Sequence, residues 1–471
     1  MRVVVVGAGA AGTLTVVALA RRLAAVPSAP PLEVVLIDPA ARPVEGAAFG
    51  TDDPRHLLNV PAAGMSYDPE QRFDFAQWCV EQGLVTDGTE ASYWFAPRRE
   101  WARYLRDRLE RAVAAAGDRL AVRHLRARVT GVARAGDGVA VETCTEPGAA
   151  SATVLADQVV VATGLPSVGE DWAPGDLSGL ERYVADPWAR GALEPVVDGT
   201  GDVVVVGTGL TMVDVALSVL DSHPGRRVLA LSRSGALPKA HAPQYLGEVV
   251  PDVRAWGSTA AEFHAAAHAH CSVVEQLQGD WRPGIDGIRY KVAELWGRLD
   301  VAERRALVDR VSREWGLHRH RMPPSSASRV AEAVGAGRLV LHAGSAAAVG
   351  PVASGVRVDT TAGDTLEGAW LINCTGPRTD LRTVGNPVVD SLLGLDGSAP
   401  LAVPDDLGLG VATRDGQVVD PSGAPAPVWT LGALRRGELW ESTAVPEIRQ
   451  QAADLARALL AYAEAVGRRT A

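Results

Sequence analysis

The sequence predicts an α/β fold in which two Rossmann-like dinucleotide-binding domains are interleaved along the chain, with a helical insertion in the second. Three observations predict it. Val3 to Gly12 reads VVVVGAGAAG and Val203 to Met212 reads VVVVGTGLTM, each a β-branched run entering a glycine turn and then an apolar-periodic helix. Each half closes on a similar strand, VVVATG from Val159 to Gly164 and LINCTG from Leu371 to Gly376. Between these lie hairpins: Arg126 to Ala133 with Val139 to Thr143 about the Gly136-Asp137-Gly138 turn, and Gly355 to Thr360 with Thr365 to Ile372 about Gly363-Asp364.

The remaining elements follow in order. Glu100 to Val113 carries Trp101, Leu105, Leu109, Ala112 and Val113 on one side and arginines on the other, which is an amphipathic helix. His241 to Pro324 lacks β-runs and reads as helical. The last helix starts near Pro446 and buries Ile448, Ala452, Leu455 and Leu459. The expected boundaries are 1–170 with 367–471 for the first domain, 195–240 with 325–366 for the second, and 241–324 for the insertion, which is the expected substrate region.

Composition sets limits on function. A chain of 471 residues with a net charge of −10 presents no net positive field, which argues against nucleic acid or an anionic membrane as partner. Cys79, Cys144, Cys271 and Cys374 stand far apart with no Cys-x-x-Cys, as expected of a reduced cytoplasmic chain without a redox dithiol. The uncharged stretch from Val3 to Ala20 is interrupted by three glycines, so it reads as a buried strand and helix instead of a signal peptide or membrane span.

The chemistry begins with Gly7-x-Gly9-x-x-Gly12. Gly7 permits the tight turn, Gly9 lets a pyrophosphate approach the backbone, and Gly12 allows close packing of helix on strand. Ala10 opens the helix, and the second strand, Leu32 to Ile37, ends at Asp38, placed to accept hydrogen bonds from a ribose. This pattern alone does not choose between FAD, NAD and S-adenosylmethionine. In the second motif Gly207, Thr208, Gly209 and Leu210 repeat the turn, but Met212 stands where Gly or Ala usually gives close packing. Ser232 and Arg233 end the next strand where an NAD site often carries an acid, so the pattern favours NADPH over NADH; the alternative is a vestigial second site with Arg233 an ordinary surface charge.

Two histidine groups are candidates for further chemistry. Glu262, His264, His268, His270 and Cys271 form a metal-like cluster with His264 and His268 four residues apart, but lack a fourth ligand and the Glu of an HExxH motif. They read as an exposed Ala/His helix, with no metal expected. His318 and His320 flank the return from the insertion, and His318 is a candidate catalytic group lining a substrate cavity.

Four longer motifs carry a family resemblance. GAAFGTDDPRHLLNVP from Gly46 to Pro61, GTGLTMVDVA from Gly207 to Ala216, LSRSG from Leu231 to Gly235 and HRHRM from His318 to Met322 resemble the YdhS-like FAD/NAD(P)-binding proteins. These are two-dinucleotide flavoproteins related to N-hydroxylating flavin monooxygenases, and the likeness runs over nearly the whole length. The resemblance implies FAD on the first loop, with Val129, Thr163 and Gly164 of the hairpin and ATG return beside it, and Thr375 and Gly376 closing the second half. It implies that His56 and Asn59 lie against the flavin, as cofactor contacts and candidate catalytic groups, although both residues can equally hold their own loop. It also places Gly432 and the amides of Thr443, Ala444 and Val445 near the flavin, where a helix N-terminus stabilises a reduced anion. Trp429-Thr430-Leu431-Gly432 replaces the Gly-Asp of many relatives, which puts a carboxylate contact to the ribityl chain in doubt.

The expected function is an FAD-dependent, NADPH-using oxidoreductase, most readily a monooxygenase acting on a small polar or amino-bearing metabolite. A flavin dehydrogenase or oxidase that does not use NADPH, and a non-catalytic flavin-binding protein, are the alternatives. No FxGxxxHxxxW motif of the Baeyer–Villiger type is present.

Overall fold

The structure, a computed structural model, describes residues 1–471 apart from Pro27, Pro147, Ala149, Leu165 to Ser167, Thr379 and Ala471. The chain divides into two compact units: Met1–Asp52, Pro61–Pro166 and Thr379–Ala471 form the first, and Asp53–Val60 with Ser167–Arg378 form the second.

Chain order runs through the first unit as β1 (Arg2–Val6), β2 (Leu32–Asp38), β3 (Leu120–Arg126), β4 (Arg128–Ala135), β5 (Gly138–Cys144), β6 (Ala152–Ala156) and β7 (Gln158–Val161). The second unit supplies β8 (Tyr183–Val184), β9 (Val203–Val206), β10 (Val228–Ser232), β11 (Leu339–Ala343), β12 (Ala346–Val352), β13 (Gly355–Thr360), β14 (Thr365–Gly368) and β15 (Trp370–Asn373). The first unit then gains β16 (Thr413–Arg414), β17 (Gln417–Val419) and β18 (Pro425–Thr430).

The first unit is built on a sheet of order β16-β17-β18-β7-β1-β2-β3, in which β18, β7, β1, β2 and β3 run parallel. Alternation along each strand divides its residues between two faces. Val4, Val6, Val35, Ile37, Val159 and Val161 pack with Val132, Val139 and Val141 of the antiparallel β4-β5-β6 sheet. Val5 faces the helix Ala10–Ala25, which packs against the helices Arg98–Ala116 and Val445–Thr470.

The second unit repeats this plan. Its sheet, β11-β10-β9-β15-β8, buries Val203, Val205, Val228 and Ala230 against the helices Leu210–Ser222 and Pro324–Gly335. Val204, Val206, Leu229 and Leu231 face Val356, Val358 and Leu366 of the β12-β13-β14 sheet. Between β10 and the helix Pro324–Gly335 the described residues form five further α-helices, Ala260–Gln278, Arg282–Ile288, Val292–Arg298, Val301–Arg310 and Ser312–Arg319.

Three sequence boundaries are corrected. Thr365 to Ile372 is not one strand, because Ala369 N bonds Asp202 O at 2.7 Å and turns the chain out of the β13 hairpin. β15 then pairs with β9 and β8, so residues 367–378 belong to the second unit and not to the first. Asp53–Val60 also groups with the second unit, held there through the side chains of Asp53 and His56.

Candidate functional site

In the first unit the glycine loop lies at the C-terminal end of β1, between its parallel neighbours β7 and β2, where ligands bind in open α/β sheets. Gly7 has φ +99°, and a Cβ there would stand 2.4 Å from Ala162 O. A Cβ on Gly12 would stand 1.9 Å from Gly7 O, so the turn and the helix can approach only without side chains. Gly9 differs: a Cβ would meet nothing within 4 Å, and the helix that begins at Ala10 has no side-chain cap. Open space before an uncapped helix N-terminus is the arrangement that receives a phosphate.

Asp38 braces this loop. Its Oδ2 accepts from Ala8 N and its Oδ1 from Ala40 N, both at 2.8 Å. Each oxygen keeps a second lone pair for a ribose hydroxyl. Val44 N donates to Ala8 O at 2.7 Å, and buried Val44 sits at φ +65°, a conformation that β-branched residues resist. Val129, assigned from the sequence to the cofactor, is a buried core residue of β4.

Thr163 and Gly164, the latter at φ +78°, follow β7. Thr430 Oγ1 donates to Val161 O at 2.8 Å, joining the two strand ends. Gly432, at φ +75°, donates its N–H to Gln451 Oε1 at 2.9 Å, while Gln451 Nε2 donates to Ser442 O at 3.0 Å. One buried amide thus ties the Gly432 loop to the turn before the last helix. Trp440 lies in that turn at φ +56°, ψ −63°, with Glu441 N on Leu439 O at 2.7 Å, a left-handed γ-turn of the strained kind. Beyond it, the amides of Thr443, Ala444 and Val445 have no acceptor among the described residues.

The second unit's loop is built in the same way. Gly207 has φ +102° with a would-be Cβ 2.3 Å from Cys374 O, and Gly209 has nothing within 4 Å before the uncapped helix that begins at Leu210. Met212 is fully buried in the core of this unit, so the missing third glycine becomes packing instead of a gap. Thr208 Oγ1 donates to Ala236 O at 2.6 Å and lies 2.9 Å from Ser232 Oγ. Arg233 is exposed and has no ion-pair partner among the described residues, and Arg313 donates to the neighbouring Ser234 hydroxyl. Thr375 Oγ1 donates to Asn373 Oδ1 at 2.8 Å, with Gly376 at φ +93° behind it.

His56 is buried, with Nε2 3.0 Å from Ser218 Oγ, and Ser218 donates to Asp53 Oδ2 at 2.6 Å. Arg55 forms a two-point pair with the Asp53 carboxylate. Burial alone would raise the Asp53 pKa, but the hydrogen bonds from Arg55 and Ser218 hold it well below the usual range. This network anchors Asp53–Val60 to the helix Leu210–Ser222, and it gives His56 a loop-holding role. Asn59 presents its carbonyl to His241 Nε2 at 3.0 Å. His241, Ser218 and Gln451 are not legible in the sequence as site residues, because each acts through a contact with no sequence spacing.

His318 donates Nδ1 to Glu314 O at 2.9 Å and packs edge-on to Trp281. Arg282 and Arg321 also lie against the Trp281 ring. Arg321 is buried and paired with Asp286 through Nη2 at 2.5 Å, while its Nε and Nη1 have no hydrogen-bond partner among the described residues. The five residues grouped by spacing, Glu262, His264, His268, His270 and Cys271, do not assemble as a group. Glu262 closes a capping box with Thr259, and His270 Nε2 lies 2.9 Å from Val249 O. Burial raises the Cys271 thiol to about 11 and the Cys79 thiol to about 12, and Cys374 is also raised, so these thiols resist ionisation.

Residues 4–166 match a family model described as FAD-NAD(P)-binding. No curated protein matches the sequence. Among solved structures the chain is similar to the reduced ornithine hydroxylase of Pseudomonas aeruginosa, at 14% identity and a TM-score of 0.65, covering 98% of each chain. It is similar to the ornithine N-hydroxylase of Kutzneria sp. 744, with reduced FAD, NADP⁺ and L-ornithine, at 18% identity and a TM-score of 0.62, covering 100% of this chain and 99% of that one. The bacillithiol disulfide reductase of Bacillus cereus is also similar, at 14% identity and a TM-score of 0.54, covering 98% of this chain and 100% of that one. The likeness is one of fold, a two-unit α/β architecture. Among the described residues no helix is long and apolar enough to cross a membrane.

Proposed function

We propose that this chain is an FAD- and NADPH-dependent monooxygenase that hydroxylates the amine of a small amino-bearing metabolite. The observation that carries the reading is the duplicated open loop. Gly9 and Gly209 each leave space before an uncapped helix N-terminus, and only the second has an unpaired arginine at the end of the neighbouring strand. A flavin dinucleotide suits the first, with Asp38 toward the ribose; a 2′-phosphorylated nicotinamide dinucleotide suits the second, with Arg233 toward the phosphate. FAD, when bound, supplies hydride acceptance and oxygen activation. This chain's residues bind and orient: the glycine loops receive pyrophosphates, and the free amides of Thr443 to Val445 offer donors to an electron-rich ring edge.

The match of residues 4–166 to an FAD-NAD(P)-binding family supports the first cofactor, and the fold shared with two ornithine hydroxylases supports the reaction class. The four YdhS-like motifs support placement in that subfamily. Buried, poorly ionised thiols count against electron exit through a dithiol. Arg321, with two buried donors that have no hydrogen-bond partner among the described residues, supports a substrate that carries a carboxylate as well as an amine. A reduced, cytoplasmic setting fits the four unpaired cysteines.

The test is spectroscopic. Purified protein reconstituted with FAD should bleach rapidly on anaerobic addition of NADPH, and amino acids such as ornithine and lysine should then raise NADPH consumption with little peroxide released. Bleaching by an organic substrate alone would indicate a dehydrogenase, and a protein that stays colourless with FAD would overturn the reading.

A further inference from the structure

We propose that His264, His268 and Glu314 form a binding site for one divalent transition-metal ion, a clamp between the helices Ala260–Gln278 and Ser312–Arg319 of the insertion. The three side chains converge, with Glu314 turning a different carboxylate oxygen toward each imidazole. His264 Nε2 lies 3.0 Å from His268 Nε2 and 3.0 Å from Glu314 Oε2, and His268 Nε2 lies 3.0 Å from Glu314 Oε1. Ligands bound at roughly 2.0–2.1 Å stand about 2.8–3.4 Å from one another in octahedral or tetrahedral coordination, so the separations between the three side chains are compatible with one shared metal ion.

Protons alone do not satisfy all three of these contacts. If each Nε2 carries a hydrogen toward the carboxylate, two N–H groups face each other across the third contact. If one nitrogen is bare, it accepts from its neighbour and its own contact with the carboxylate loses its hydrogen. A cation at the centre satisfies all three lone pairs together.

The donor set selects the ion. Two imidazoles and one carboxylate suit Zn²⁺, Co²⁺, Ni²⁺ or Cu²⁺ and not Mg²⁺ or Ca²⁺, which prefer oxygen. The side chains are 41%, 57% and 42% exposed, which leaves the remaining coordination positions to water. The helical spacing of His264 and His268 supplies two of the three ligands, and the third, Glu314, lies 46 residues further along the chain than His268, on a different helix. The clamp fixes the helix whose last residues, His318 and Arg319, lead directly into Arg321. Metal binding thereby stiffens the base of the group assigned to the substrate carboxylate.

Full-length protein stripped with a chelator should bind one equivalent of Zn²⁺ by titration calorimetry, and Co²⁺ should give visible d–d absorption. Binding should weaken at least about tenfold in His268→Gln and separately in Glu314→Gln. Added Zn²⁺ should raise the thermal unfolding temperature of the parent protein and of neither variant. The two variants alter exposed side chains on different helices, so loss of folding in one leaves the other to decide. Absence of stoichiometric Zn²⁺ binding, or equal binding by parent and both variants, overturns the proposal. No FAD or NADPH enters the measurement, so its failure is distinct from failure of the flavin reading.

Discussion

Gly9→Ala and Gly12→Ala differ by one methyl placed three residues apart, and the structure assigns them opposite effects on folding. A Cβ on Gly12 meets Gly7 O at 1.9 Å, whereas ordinary contact begins near 3.4 Å, so about 1.5 Å must open between loop and helix. In a close-packed interior such overpacking costs roughly 1–3 kcal/mol. At ~2–4 °C per kcal/mol, the FAD-free protein should melt several degrees lower. Gly9 has φ −68° and no atom within 4 Å of a would-be Cβ, so alanine fits and restricts the unfolded chain, leaving the melting temperature unchanged or slightly raised. The same methyl fills the space assigned to the pyrophosphate. Losing even one charge-assisted hydrogen bond of about 1.5–3 kcal/mol weakens FAD binding some 10- to 150-fold. Differential scanning fluorimetry of the FAD-free proteins and fluorescence titration with FAD measure both quantities. Parental FAD affinity in Gly9→Ala would refute the assignment of the pyrophosphate to this loop, and unchanged melting in Gly12→Ala would refute the packing argument.

Other perturbations test neighbouring parts of the molecule. Arg233→Ala should raise the KM for NADPH about tenfold, at the low end for an exposed phosphate contact, and leave that for NADH unchanged; equal effects on both would remove the 2′-phosphate assignment. Gln451→Leu strands the Gly432 N–H and the Ser442 carbonyl, costing about 2–4 kcal/mol, and should lower the melting temperature while shifting the bound flavin spectrum. Burial, aided by Arg321, pushes His241 down to about 3 from 6.5. The unfolded chain takes up this proton below pH 6.5 and the folded one does not, so this contribution is present above 6.5 and is lost as pH falls toward 3. Near pH ~4.5 the loss is about 2–3 kcal/mol, and His241→Gln, which keeps a donor for Asn59 O, should flatten the slope of urea stability against pH.

The features legible in the sequence are those decided by sterics within a few residues. Gly7, Gly12 and Gly207 can be read because a missing side chain beside a strand end answers directly to a close backbone approach, and their positive φ or blocked Cβ positions agree with that. Met212 marks the limit of such reading: the motif gives a departure, and only the core shows that the methionine fills it. Contacts across long separations leave no periodic trace. The pairing of β15 with β9 moves residues 367–378 into the second unit, and Ser218, 162 residues from His56, gives that histidine an anchoring contact that no spacing announces. In the helical insertion, spacing groups Glu262 with the histidines, whereas the carboxylate that meets them comes from a different helix.

The order of β18 in the chain has a consequence for synthesis. As the polypeptide leaves the ribosome, β1, β2, β3 and β7 are complete before residue 166, but the partner along the outer edge of β7 does not emerge until Pro425–Thr430. The second unit, ending at Arg378, has all of its strands first. For the length of some 260 residues the nascent first sheet therefore carries an unpaired, valine-rich edge, QVVV, of the kind that templates aggregation. Conditions that slow translation between residues 166 and 430 should increase insoluble product, and supplying a chaperone that shields strand edges should recover it.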